Sequence, residues 1–143
     1  MRTAGEILSR TARGVIHVSP ETSVYDALAQ MANEDVGAVA VLENGKLVGI
    51  FSERDYARKI VLKGRSSTST LVGEVMAREV ITITAAASLT DCMESMTENK
   101  IRHLPVFEAT TLLGVLSIGE VVRHVIEEQH QLIEQLQSYI HGS

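Results

Sequence analysis

The chain of 143 residues has no tryptophan, two phenylalanines and three tyrosines. That scarcity excludes a surface of aromatic platforms for stacking nucleic-acid bases. A single cysteine, Cys92, cannot form an internal disulfide, so a reduced, intracellular protein is expected. No apolar run approaches the roughly 18 residues needed to span a bilayer, and no membrane partner is expected. Met1 to Arg13 lacks the apolar stretch of a secretory signal, which makes the cytoplasm the expected location. Thirteen Lys and Arg face eighteen Asp and Glu, a net charge of -5. This balance argues against nucleic acid as the main partner, while a local basic patch can still hold a phosphate. The five histidines show no His-x-x-x-His spacing, so no metal site is expected. Gly-x-Gly-x-x-Gly, a Walker-type loop and a serine-nucleophile elbow are all missing. Neither catalytic residues nor a catalytic cofactor are expected, and the chain reads as a non-enzyme.

What the chain does contain is a duplication. Shifted by 65 residues, Val15–Val61 aligns without a gap on Val80–Ile126. Ser23 falls on Ser88, Asp26 on Asp91, Met31 on Met96, Gly49 on Gly114, Ser52 on Ser117 and Arg58 on Arg123. Each copy has a lead-in, Gly5-Glu6-Ile7-Leu8 resembling Gly73-Glu74-Val75-Met76. A repeat held in register through its turns and glycines signals one structural unit used twice.

Within copy one, Val15–Val18 suggests a short strand closed by Ser19-Pro20, and Thr22 or Ser23 caps a helix with Val24, Ala27, Leu28 and Met31 on one face. Gly37–Leu42 and Leu47–Phe51 read as a hairpin around Asn44-Gly45, with a helix following over Glu53–Leu62. Copy two repeats the pattern, with Ala109–Thr111 as its turn. The predicted fold class is α+β (α/β): two β-α-β-β-α repeats packed about a pseudo-twofold axis, plus a long C-terminal helix. Residues 1–66 form repeat one with its lead-in, 67–126 repeat two, and 118–142 the extended helix. Neither copy alone can bury its sheet and helices, so the copies should pack together and leave two related clefts at their interface.

Each hairpin ends in Gly-x-x-Ser-x-x-acid: Gly49 to Asp55, and Gly114 to Glu120. A capping box explains this pattern, the serine accepting from a backbone N–H and the acid reciprocating. The same helix N-terminus can receive an anion, and a carboxylate can accept two hydrogen bonds from a ribose diol. These roles are compatible.

With Val15-Ile16-His17-Val18-Ser19-Pro20 and Ile101-Arg102-His103-Leu104-Pro105-Val106, the doubled motif resembles a tandem pair of cystathionine-β-synthase (CBS) domains, a Bateman module. The resemblance covers about Thr3 to Ile126. It implies an adenosine-containing ligand such as AMP, ADP, ATP, NAD(H) or S-adenosylmethionine, with the motif acid on the ribose. Carried over, it implies ligand contacts at Ile16, Gly37, Ala38, Ser52, Asp55, Arg102, His103, Pro105, Ser117 and Glu120. Copy one keeps the usual Asp55, whereas Glu120 departs from it, so the better site is expected at Asp55. Small Gly37 and Ala38, in the same copy as Asp55, are assigned to close approach of an adenine, and Arg102 and His103 to phosphates reached from across the interface.

Arg54, Arg58, Lys59, Lys63 and Arg65 make a basic stretch in an acidic chain. Arg54 opposes the dipole of the helix it opens, a placement explained by a nearby phosphate, and Arg58 joins it as a ligand candidate. A solvated face accounts equally well for Lys59, Lys63 and Arg65. The C-terminal stripe of Val122, Val125, Ile126, Leu132, Ile133 and Leu136 either packs back onto its own module or crosses to a second subunit, and a homodimer is expected. The chain is therefore read as a regulatory nucleotide-binding module signalling to an unidentified partner protein. The alternative is a structural or interaction module with vestigial clefts, acting through the C-terminal helix.

Overall fold

A computed structural model describes residues 2–10 and 14–141. Residues 11–13 of the expected lead-in and residue 142 of the expected C-terminal helix lie outside the described residues. The elements run α1 (Ala4–Arg10), β1 (His17–Val18), α2 (Val24–Glu34), β2 (Ala38–Glu43), β3 (Lys46–Ser52), α3 (Glu53–Asp55), α4 (Val72–Val75), β4 (Ile83–Thr84), α5 (Leu89–Asn99), β5 (His103–Glu108), β6 (Thr111–Ser117) and α6 (Ile118–Ile140). Two three-stranded sheets, β1-β2-β3 and β4-β5-β6, each join a parallel pair to an antiparallel hairpin.

The duplication extends to local irregularities. Both hairpins shift register at the same place, between Val41 and Leu42 and between Val106 and Phe107. Asn44 and Gly45 take φ of 53° and 77°, the positive values a tight hairpin turn requires. Ser23 and Ser88 cap α2 and α5, accepting from the backbone N–H of Asp26 and Asp91. Asp35 and Lys100 close these helices in left-handed conformations.

Two expected elements differ in detail. The first strand is shorter than Val15–Val18, since only His17 and Val18 pair with β2. The predicted Glu53–Leu62 helix is α-helical only over Glu53–Asp55 and continues as a π-helix over Tyr56–Val61. The wider turn adds a residue while Ile60 still reaches the core.

The lead-ins are exchanged between the units. Ala4 and Ile7 of α1 are completely buried in the second core, among Leu89, Cys92, Met96 and Leu104. Val72 and Val75 of α4 enter the first core, beside Val24, Met31 and Phe51. The backbone bonds are reciprocal: Gly5 donates to the Ala85 carbonyl at 3.0 Å and Gly73 to the Pro20 carbonyl at 2.9 Å. A Cβ added at either position would lie 3.0 Å from the Cβ of Ala85 or Pro20, so a side chain there would push its neighbour aside. This isologous exchange expresses the expected pseudo-twofold relation.

Charged side chains hold both lead-ins. Arg2 contacts Glu127 at 2.6 Å and the His124 ring at 2.7 Å, tying the start of the chain to α6. Arg65 pairs with Glu74 at 2.9 Å, and Lys59 Nζ donates to the Val75 carbonyl at 2.8 Å. Lys59 and Arg65 thus contact α4 from solvent-accessible positions. Sequence spacing hid this because the contacts cross between units.

Candidate functional site

Of the clefts where the units meet, two carry the repeated Ser-x-x-acid motifs, and each of these takes residues from both units. The larger, about 720 Å³, has Ser52, Arg54, Asp55 and Arg58 on one side. Lys100, Arg102 and His103 of the other unit face them. The second cleft, about 330 Å³, joins Ser117, Glu120 and Arg123 to Ile16, Gly37 and Ala38 across the interface. Both volumes fall in the range of small-molecule sites.

The expected capping boxes are present. Asp55 Oδ2 accepts from the Ser52 backbone N–H and hydroxyl, each at 3.0 Å, while the Asp55 N–H donates to Ser52 Oγ at 3.2 Å. Glu120 Oε1 likewise accepts from the Ser117 N–H at 3.2 Å and its hydroxyl at 2.9 Å. The acids differ in their second oxygen. Asp55 Oδ1 meets Lys59 Nζ at 3.2 Å, whereas Glu120 has no corresponding cation within ion-pair distance among the described residues. Position 124, which corresponds to Lys59, is histidine turned toward Arg2.

Electrostatics separate the clefts further. Arg54, Arg58, Lys100 and Arg102 give the Asp55 cleft four cations against the carboxylates of Glu53 and Asp55. The Glu120 cleft has Asp35 and Glu120 against Arg123 alone. Arg54 reaches across the interface, its Nη1 lying 3.4 Å from the Lys100 carbonyl oxygen. Anionic groups are therefore better accommodated beside Asp55.

His103 lines both clefts, as does Gly37. A methyl group on Gly37 would sit 3.3 Å from His103 Nε2, so the missing side chain leaves room for this imidazole. Burial pushes the His103 pKa below its ordinary value, with Glu120 opposing the shift and Arg102 reinforcing it. At neutral pH the ring is uncharged and offers one N–H and one lone pair. Arg102 is the permanently charged member of that pair.

The small-residue strand start also changes place. Gly37 and Ala38 belong to the same copy as Asp55, but Ala38 faces the Glu120 cleft and Gly37 reaches both. Each cleft combines the motif of one repeat with the strand start of the other. Ile16 likewise lies with Glu120, while Pro105 is buried in β5 opposite Val115 and lines neither cleft. Lys100, Asp35 and Arg123 were missed as cleft residues. The alignment of Arg58 with Arg123 already contained the signal for the last. Among the described residues, no group of three or more His, Cys, Asp or Glu is placed to hold a metal ion, and no helix is long and apolar enough to cross a membrane.

Comparison with known proteins agrees with the duplicated architecture. The CBS domain family matches residues 4–62 and 72–127. The mitochondrial CBS domain-containing protein CBSX3 of Arabidopsis thaliana is 43% identical over 127 residues, covering 85% of this chain and 62% of the relative. The chain thus spans less than two thirds of that protein. A structure of a protein with CBS domains from Burkholderia ambifaria is 41% identical with a TM-score of 0.84, covering 89% of this chain and 96% of that one. A Pyrobaculum aerophilum CBS domain protein complexed with AMP has the same fold, with 22% identity, a TM-score of 0.73 and coverage of 82% and 88%. With two matched copies, reciprocal lead-ins and paired interfacial clefts, the chain belongs to the CBS domain family as a tandem pair.

Proposed function

We propose that the chain is a regulatory module that binds an adenine nucleotide in the Asp55 cleft and passes the bound state to a partner protein. The observation carrying this reading is the concentration of four cations around a capped carboxylate in a cleft built by both units. Asp55 receives the ribose hydroxyls, His103 and the strand starts border the base, and Arg54, Arg58 and Arg102 meet the phosphates. AMP, ATP and NAD(H) share these features. The AMP complex of the Pyrobaculum protein supports the ligand class. A cytoplasmic or other thiol-reducing compartment suits its buried Cys92. The Glu120 cleft, smaller and net acidic, is the weaker site for a phosphorylated ligand.

Thermal unfolding with AMP, ATP, NAD, NADH and S-adenosylmethionine tests the proposal. A ligand at a hundred times its Kd adds about 2.7 kcal/mol, or roughly 8–10 °C in a domain of this size. Asp55→Ala should remove the shift, and Arg102→Ala should weaken triphosphate binding more than monophosphate binding. No shift with any compound at millimolar concentration would instead favour the structural or interaction module acting through α6.

A further inference from the structure

Asp55 presents its two carboxylate oxygens unequally. Oδ2 accepts from both the N–H and the hydroxyl of Ser52, each at 3.0 Å, which uses its two lone pairs. Oδ1 accepts no hydrogen bond among the described residues and faces Lys59 Nζ at 3.2 Å. The oxygen left for a ligand is therefore the one that a cation already covers.

Lys59 does not serve that carboxylate alone. From the π-helical turn its Nζ also donates to the Val75 carbonyl at 2.8 Å, at the end of α4. The Lys59 side chain is 42% exposed, against 15% for that of Asp55. The ammonium can thus leave Asp55 while it keeps the Val75 carbonyl and gains water. An ion pair with one partner this accessible contributes little to stability, so its surrender is inexpensive.

A ribose gives this arrangement a consequence. Two adjacent hydroxyls need two acceptor positions, and Oδ1 has two lone pairs. With Lys59 in place, one position is open and a single hydroxyl fits. The second hydroxyl needs the position that the ammonium fills. Oδ2 offers no easier place, because both of its donors belong to the helix cap. Copy two lacks the device: position 124, equivalent to Lys59, is a histidine turned toward Arg2.

We propose that Lys59 sets the ribose specificity of the Asp55 cleft, its ammonium holding the acceptor position that the second hydroxyl of the diol requires. This rests on the reading of that cleft as an adenine-nucleotide site. A ribonucleotide moves Lys59 off Asp55 to place both hydroxyls, whereas a deoxyribonucleotide binds with Lys59 still paired. Lys59 therefore lowers the preference for ribose over deoxyribose. The same displacement breaks the charged link between the motif of copy one and the lead-in of copy two.

Calorimetric titration of the full chain with AMP and ATP, each beside its 2′-deoxy and 3′-deoxy form, tests the proposal. Every deoxy compound keeps one hydroxyl. In Lys59→Met, affinity for the ribonucleotide relative to either deoxy form should rise about fivefold, the size of one partly exposed ion pair. Lys59→Gln should follow Lys59→Met, and Lys59→Arg, which keeps the charge, should match the native chain. The readout is a ratio within one protein, so a general loss of stability leaves it unchanged. A ratio unaltered in Lys59→Met and Lys59→Gln, or raised equally in Lys59→Arg, would overturn the role of Lys59. If nucleotide binding were still lost in Asp55→Ala, the reading of the cleft would survive that result. Failure of the native chain to bind either ribonucleotide would overturn both.

Discussion

Replacing Ile7 by alanine separates the exchanged packing of the lead-in from the packing expected by chain order. Ile7 belongs to the first repeat in sequence, yet its side chain is completely buried in the core of the second. The substitution removes three carbons, about 2.4 kcal/mol of transfer free energy at 0.8 kcal/mol per methylene. The remaining cavity adds to that, and large-to-small changes of this type cost about 2–5 kcal/mol in total. Because α1 is a short helix that can settle toward the gap, about 3 kcal/mol is expected. Urea unfolding measures the total, and amide hydrogen exchange locates the weakness. Protection should fall first in β5, β6 and α5, while β2 and β3 retain slower exchange. A loss below 1 kcal/mol, or early exchange confined to β2 and β3, would refute the exchanged arrangement.

Gly49→Ala addresses the reciprocal lead-in, since the new methyl would lie 2.6 Å from Met76 Sδ and 2.9 Å from the Ala77 carbonyl oxygen. Overpacking should cost about 1–3 kcal/mol and loosen the Ile50–Ala77 backbone bonds, as read by urea midpoint and amide exchange. Burial lowers the pKa of both His103 and His124 from 6.5, so the unfolded chain binds more protons as pH falls below that value. Their contribution is full above about pH 6.5 and is lost as pH falls through the folded values. The urea midpoint should therefore drop between pH 7.5 and 5, with less change in a His103→Gln/His124→Gln variant; an unchanged midpoint would contradict this. Burial also raises the Cys92 thiol from 9.0 to about 11, which predicts thiol labelling at pH 8 about a hundredfold slower than in urea. Equal rates in folded and unfolded chain would show that Cys92 is not shielded as described.

Features governed by local chemistry were the most legible in the sequence. Asn44-Gly45 announced a hairpin, Ser23 and Ser88 announced helix caps, and the 65-residue shift announced two equivalent units. The Ser52/Asp55 and Ser117/Glu120 pairs could be read as capping boxes and cleft residues at once, because both follow from one helix N-terminus. The π-helical turn over Tyr56–Val61 was not legible, since its apolar residues also satisfy an ordinary helical pattern. Nor was the partner of each lead-in, because Gly5 to Leu8 and Gly73 to Met76 are so alike that either core accepts either segment on pattern alone. The same limit displaced Ala38, expected beside Asp55, into the Glu120 cleft, whereas Arg102 and His103, expected to reach across the interface, do line the Asp55 cleft.

Gly37 and His103 form a common wall between the clefts, which makes their occupancies thermodynamically inseparable when a guest repositions that wall. If filling the Asp55 cleft changes affinity at the Glu120 cleft by some factor, filling the latter must change the former by the same factor. Gly37 brings no side chain to this shared boundary, and a Cβ there would meet His103 Nε2 at 3.3 Å and Glu53 Oε1 at 3.5 Å. A larger residue there would do more than narrow a cavity. It would alter the coupling constant, so two preparations with similar single-site affinities could differ in the steepness of their response.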